Sequence, residues 1–340
     1  MSANRFPLTR RQFQSMAAAS GAALTVPGLA QAQADAAASY PNKAVRVVVP
    51  FAPGGGTDTL ARLLGQKLQT SLGQPFVIDN KPGASGIIGT DAVAKAAPDG
   101  YTLSFGLSTS LLINQFLFSK LPYNPQKDLD MLYRVADGAT VLVAKPGLPV
   151  KTGAELLAYI KANKGKLSYG SYGQGSFSHL MGAYLDHVTQ GDLNHVAYKG
   201  ESPMIQDLLG GQFDFCWSSA INTKQHIATG KLKAIGVNAP KQLSALPGVP
   251  TLQESGMKEA PFAMVGWLAM AVPAKTPKAI QEKLAAEIRT ALKDPEVRRK
   301  IDDMGFGALD NSGPDVFAAE YKREMPRWQE LVKVSGAKLD

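Results

Sequence analysis

The chain has 340 residues, with 36 Lys and Arg against 28 Asp and Glu, a formal net charge of +8 and a single cysteine. That length exceeds what one hydrophobic core usually holds, so two domains are expected. The basic residues form no tract, which argues against a nucleic-acid partner, and Cys216 alone cannot form an internal disulfide.

Residues 1–34 contain no acidic residue and read as a targeting segment. Thr9-Arg10-Arg11-Gln12-Phe13 resembles the twin-arginine export signal. The apolar run from Met16 to Leu24 is mostly Ala and too short to span a bilayer. Ala30-Gln31-Ala32 and Ala32-Gln33-Ala34 both fit the small-x-small rule for signal cleavage. Loss of Arg5, Arg10 and Arg11 with this leader would lower the net charge from +8 to +5. The expected mature protein is periplasmic, soluble and monomeric, and carries no further membrane span.

The stretch Val45 to Gly56, VRVVVPFAPGGG, is the strongest local signal. A β-branched run reads as a strand, and Leu60, Leu63, Leu64 and Leu68 give the following segment a helical apolar stripe. The glycine triplet allows positive φ and close approach of a ligand to the main chain. Thr57 or Asp58 is expected to cap the helix, leaving its first N–H groups free to hold an anion. A dinucleotide fingerprint is excluded because Thr59 stands where the third glycine belongs, and no Gly-Lys-Ser or Gly-Lys-Thr exists for a P-loop.

Further strands are expected at PFVIDN, at YTLSFG before the polar Ser108-Thr109-Ser110 loop, and at ATVLVAK. Between the first two of these, Gly83-Ala84-Ser85-Gly86 leads into a helix running through Ala96. The plan then restarts. A helix from Glu155 to Asn163 precedes a strand at LSYGSYG, which enters Gly173-Gln174-Gly175-Ser176-Phe177-Ser178 and a helix bearing Leu180, Tyr184, Leu185 and Val188. HVAYKG, FDFCWSS and KAIGV read as strands, FAMVGWLAMAVPA as a return crossing, and Ile280, Leu284, Ile288 and Leu292 mark a long helix ending near Asp294. Strand, glycine-hydroxyl loop and helix thus occur once in each half, as in α/β folds with mostly parallel sheets, where ligands lie beyond the strand carboxyl ends.

Several chemistries find no residues. The four histidines, His179, His187, His195 and His226, show no metal-ligand spacing, and no G-x-S-x-G or exposed nucleophilic cysteine is present. No metal, cofactor or catalytic constellation is expected. Asp58 reads either as restraint on a water or ligand hydroxyl or as a helix-start acid matching the dipole, and Ser176 as either a ligand donor or an N-cap. Trp217 reads as a buried strand residue or a stacking surface.

The segments YPNKAVRVVVPFAPGGGTD, VIDNKPGASGIIG, KAAPDGYTL, GQGSFSHL, HVAYKGESPMIQDLLGGQFDF and LPGVPTLQESG, with the KTPKAIQEKLAAEI tail, are together similar to the Bug receptors. These are the periplasmic solute-binding proteins of tripartite tricarboxylate transporters. The resemblance implies a two-domain α/β binding-protein fold of type II, with 35–141 and 267–340 in one domain and 142–266 in the other. It implies a ligand that is a di- or tricarboxylate, an acidic amino acid or an aromatic acid, delivered to membrane permease subunits. Main-chain N–H groups of the first loop, at Phe51, Gly54, Gly55, Thr57 and Asp58, would hold one carboxylate with ordered water. Gly175, Ser176 and Ser178 would contribute from the second loop, with Tyr198, Lys199 and Gly200 near the same cleft and Gly83, Ala84, Ser85 and Ser108 at its edge. Ser218 and Ser219 stand where many relatives have an acidic residue. A sensor presenting its closed form to a membrane kinase, and an enzyme on the same scaffold, are the alternatives.

Changing Arg10 and Arg11 together to Lys is expected to leave unprocessed precursor in the cytoplasm. Cell fractionation and immunoblotting measure this, and normal periplasmic yield would assign export to the general pathway.

Overall fold

The computed structural model describes residues 39–339. The export-signal reading lies outside them, and the architecture below concerns the compact unit from Pro41 onward. Strand β1 (Val45–Val49) is buried except at Arg46, as expected of a strand covered on both faces. It runs into helix α1 (Gly56–Leu72), whose Leu60, Leu64 and Leu68 are fully buried and which closes on a left-handed Gly73. Strand β2 (Phe76–Asn80), helix α2 (Ile87–Ala94) and strand β3 (Thr102–Leu107) follow, then the short helix α3 (Asn114–Leu117). Strands β4 (Leu129–Gly138) and β5 (Thr140–Ala144) are separated by Ala139 alone.

The second series comprises α4 (Gly153–Ala162), β6 (Ser168–Ser171), α5 (Phe177–Thr189), β7 (Asn194–Ala197), α6 (Glu201–Leu209), β8 (Phe215–Ser218), α7 (Ala220–Ala228) and β9 (Lys233–Asn238). The return strand β10 (Gly266–Pro273) leads to α8 (Lys278–Lys293), α9 (Pro295–Asp303), β11 (Phe306–Ala308) and α10 (Pro314–Ser335).

Two sheets result, a six-stranded one in the order β11-β4-β10-β3-β1-β2 and a five-stranded one in the order β7-β6-β8-β5-β9. Both are mixed. The half that carries each glycine loop is parallel, β2-β1-β3 in one sheet and β7-β6-β8 in the other. The remaining pairs are antiparallel, because the crossing strands β4 and β10 run in opposite directions between the lobes. In their ladder Gly138 lies opposite Gly266, so both passages between the sheets occur at one place.

Strand β4 is the element that sequence patterning misses. Its Arg134 and Asp137 break the apolar run, yet Arg134 is only 7% exposed. The guanidinium sits 2.6 Å from Asp137 and 3.6 Å from Glu320, and it also donates to Glu324, whose other oxygen accepts the Trp267 indole N–H at 2.8 Å. A buried charge of this kind persists because its partners replace water. Glu320 and Glu324 come from α10, nearly two hundred residues later. The same helix reaches the other lobe, where Trp328 meets Phe177 edge-on at 6.0 Å.

Helix α5 lies unusually close to β6 through Gly182. A Cβ there would stand 2.0 Å from the ring of Tyr169, itself buried and stacked on His195. Gly182→Ala is therefore expected to destabilise the fold by about 1–3 kcal/mol, as other overpacked cores do. Urea unfolding should show a lower midpoint at unchanged slope.

Candidate functional site

The first loop leaves β1 at its carboxyl end and enters α1. Gly55, not Thr57 or Asp58, is the N-cap, in extended backbone at φ −81°, with no side chain capping the helix. Its carbonyl accepts from the Thr59 N–H at 3.0 Å. The N–H groups of Gly56, Thr57 and Asp58 have no hydrogen-bond partner among the described residues. They form the positive end of a 17-residue helix.

Asp58 has another task. Its carboxylate accepts from Gly54 N–H, Asn80 Nδ2 and Arg62 Nε, each at 3.0 Å. Burial works to raise its pKa, but the bonds from Arg62, Gly54 and Asn80 outweigh it, and the group is held below its ordinary value. Asp58 thus fixes the loop, as a helix-start acid reaching back, and occupies the Gly54 N–H. Asn80 also donates to the Phe51 carbonyl at 3.1 Å, tying β2 to the loop.

The Phe51 ring lies where a side chain on Gly86 would be, with Ser110 beside it. Residues Gly83, Ala84, Ser85 and Gly86 all have positive φ, from 46° to 131°. For Ala84 and Ser85 this costs roughly 1–2 kcal/mol each. Two bonds hold it there: Asn114 Nδ2 donates to the Ser85 carbonyl at 3.1 Å, and Ser85 Oγ donates to the Gln174 carbonyl of the opposite lobe. Gly175 packs under Leu117 and Leu339 from the first lobe. The loop at 83–86 and the loop at 173–176 therefore meet directly. Ser108 lies further back, fully enclosed at the hinge strand, where its Oγ accepts the Trp267 N–H at 3.4 Å.

The second loop differs from the first in that a side chain caps its helix. Ser176 caps α5, accepting from His179 N–H at 3.3 Å and bonding Ser178 Oγ at 3.0 Å. Ser178 Oγ accepts from Tyr172 N–H, and the Gly175 N–H goes to His179 Nδ1 at 2.9 Å. Burial pushes the Tyr172 phenol well above its ordinary pKa, with the Glu201 carboxylate as the next cause. The backbone N–H groups of Ser178 and Phe177 oppose that rise at its hydroxyl.

Tyr198 turns away, its hydroxyl donating to Asp207 at 2.9 Å and its ring packing 5.6 Å from Phe213. Lys199 is exposed, and Gly200, at φ 131°, caps α6 without side-chain help. Ser218 is fully buried at the end of β8 with no hydrogen-bond partner for its hydroxyl, and Trp217 is a core residue. Glu201 was not among the expected site residues, although it follows Gly200 directly. Its carboxylate accepts from Ser219 N–H at 3.2 Å and Ser219 Oγ at 2.5 Å, and also from Asn222 Nδ2. Among the described residues no His/Cys/Asp/Glu group could hold a metal ion.

Comparison with known proteins gives a consistent result. Residues 60–336 match the model for the tripartite tricarboxylate transporter family receptor. The protein BugT of Bordetella pertussis is 35% identical over 302 residues, 88% of this chain and 92% of its own. The structure of the periplasmic binding protein BugD superimposes with a TM-score of 0.81 at 36% identity, covering 88% of this chain and 99% of that one. MatC from Rhodopseudomonas palustris, solved with bound malate, gives 0.79 at 33% identity over 86% and 100% of the two chains.

The stacked pair His179 and His195, ring centroids 4.0 Å apart, has a measurable consequence. Burial lowers both pKa values to about 4, with the neighbouring ring as a second cause for His179. Unfolded, each titrates near 6.5. Between those values the unfolded chain binds protons that the folded chain refuses, so stability is complete above about pH 6.5 and falls as pH drops toward 4. Replacing His195 by Gln should make that decline shallower in urea unfolding followed across this pH range.

Proposed function

Because the chain belongs to the tripartite tricarboxylate transporter receptor family, we propose that it captures a small organic carboxylate in the periplasm and hands it to the membrane permease of such a transporter. The observation that carries this reading is the uncapped start of α1, where three successive N–H groups are left without partners at the carboxyl end of a strand. A carboxylate satisfies those donors and the helix dipole together. The malate held by MatC is consistent with that chemistry.

The magnitudes are adequate without an arginine in the site. A micromolar ligand requires about 8 kcal/mol. Hydrogen bonds to a charged acceptor contribute roughly 1.5–3 kcal/mol each. Three of them supply much of the requirement, and further donors and buried surface offset the entropy lost on association. We assign the protein no catalytic step. We take the hinge to lie at the paired passages near Gly138 and Gly266, with 142–266 on one side and 35–141 with 267–340 on the other; the ladder that sets these two glycines opposite each other supports this. Closure about it favours the ligand-bound state by the difference in ligand affinity between open and closed forms. The protein acts as a monomer, with Phe51, Gly54, Gly55, Thr57 and Asp58 forming the first half of the site. Gly83, Ala84, Ser85, Gly175, Ser176 and Ser178 face them.

Gly55→Val tests the main-chain site. The residue has a backbone conformation open to any side chain, and an added Cβ would meet only the Ala52 carbonyl at 4.0 Å, so the fold should survive. The valine would stand over the open N–H groups, and carboxylate binding is expected to weaken at least tenfold, about 1.4 kcal/mol. Titration calorimetry on variants with wild-type melting measures this. The same experiment should give one site per chain, and unchanged affinity in the variant would place the ligand elsewhere.

A further inference from the structure

Glu201 is a partly buried acid at the first position of α6, and its carboxylate is docked on the start of another helix. Ser219 is the N-cap of α7, yet its hydroxyl does not cap its own helix. It donates instead to Glu201 Oε2, while the Ser219 N–H serves Oε1 and Asn222 Nδ2 adds a third bond. An anion site at the α7 terminus is thereby filled by the protein itself.

That terminus and the first glycine loop share a neighbour. A Cβ on Gly305 would stand 2.5 Å from Ala220, the first residue of α7. A Cβ on Gly56, the first residue of α1, would stand 2.7 Å from the ring of Phe306. Two successive residues of the first lobe thus touch the start of each helix, so the helix start that carries the Glu201 carboxylate and the helix start with the open N–H groups adjoin one segment. A second observation concerns the same carboxylate. The hydroxyl of Ser218, fully buried and without a hydrogen-bond partner, lies beside that carboxylate.

The geometry points to Glu201 as the residue that selects the far end of the ligand: a carboxylate at one end, a hydroxyl or ammonium donor at the other, and no second carboxylate there. The inference rests on the carboxylate-receptor reading above and narrows it. A carboxylate offers about four acceptor sites, of which three are taken, so one remains for a ligand donor. Ser218 can turn its hydroxyl to the same group. A second carboxylate at this point would meet a like charge within a partly dehydrated cleft, where repulsion is much stronger than in water. Burial already holds the Glu201 carboxyl above its ordinary pKa against the bonds from Ser219 and Asn222, so the group gains from a donor and loses from another anion.

Titration calorimetry with two length-matched series of four to six carbons tests this: α,ω-dicarboxylates, and monocarboxylates ending in a hydroxyl or an ammonium group. The wild-type protein is expected to bind the best donor-ended compound at least tenfold more tightly than the dicarboxylate of equal length. Glu201→Gln, which removes the charge and keeps the shape, should narrow that ratio at least tenfold. A wild-type preference for dicarboxylates overturns the assignment even if the variant does not fold. An unchanged ratio in a variant that melts like wild type overturns it as well. Failure of both series to bind the wild-type protein overturns the carboxylate reading itself, and this assignment with it.

Discussion

The pairing of β4 with β10 governs the arrangement of everything else. The chain passes from one sheet to the other twice, and an antiparallel ladder with Gly138 opposite Gly266 brings both passages together. Each sheet then sends its parallel half, with strand ends and helix starts, toward a common cleft. The ladder is expensive to build, since it buries Arg134, and it is stable only because Asp137, Glu320 and Glu324 surround the guanidinium. Glu324 also takes the Trp267 indole N–H, so one acid of α10 ties both crossing strands to the C-terminal helix.

The sequence reveals those elements whose stabilising contacts are local. The buried run of β1, the leucine stripe of α1 and the glycine turn between them are all set within thirty residues, and they form where patterning predicts. Strand β4 was hidden because its polar residues become core residues only when α10 arrives. The cap of α1 was misplaced for a related reason. Asp58 bonds backward to Gly54 and sideways to Asn80 and Arg62, and the partner on β2 is invisible to a local rule. The mostly parallel sheets expected from the alternation of strands and helices hold only for the glycine-loop halves, since alternation says nothing about the direction of a return crossing.

The duplication of strand, glycine loop and helix gives each half a helix start beyond a strand end, and the two starts are built differently. Helix α1 starts without a capping side chain. Helix α5 starts with Ser176 on His179 N–H, His179 on Gly175 N–H and the Tyr172 hydroxyl beside the next two N–H groups. A helix start with a side-chain cap keeps fewer free donors for an anion than an open one. The lobes are alike in topology and differ in their helix starts: the first has open main-chain N–H groups, and the second a hydroxyl network around Ser176 and Ser178.

This division explains why the departure at Ser218 and Ser219 matters. Main-chain donors are blind to side-chain identity, so in the proposed reading the first lobe would hold a carboxylate whatever the rest of the ligand is. Discrimination must then come from side chains opposite, and the ones available sit where β8 ends and α6 and α7 begin. With serines at 218 and 219, the negative charge at that corner comes from Glu201 on the neighbouring helix. Ser219 is its donor, through both its N–H and its hydroxyl. Moving a carboxylate from a strand end to a helix start changes its direction of approach and leaves the Ser218 hydroxyl without a partner. In the proposed reading these side chains act on the distal end of a bound molecule and leave the proximal carboxylate site untouched, so ligand specificity would vary without cost to the anchor.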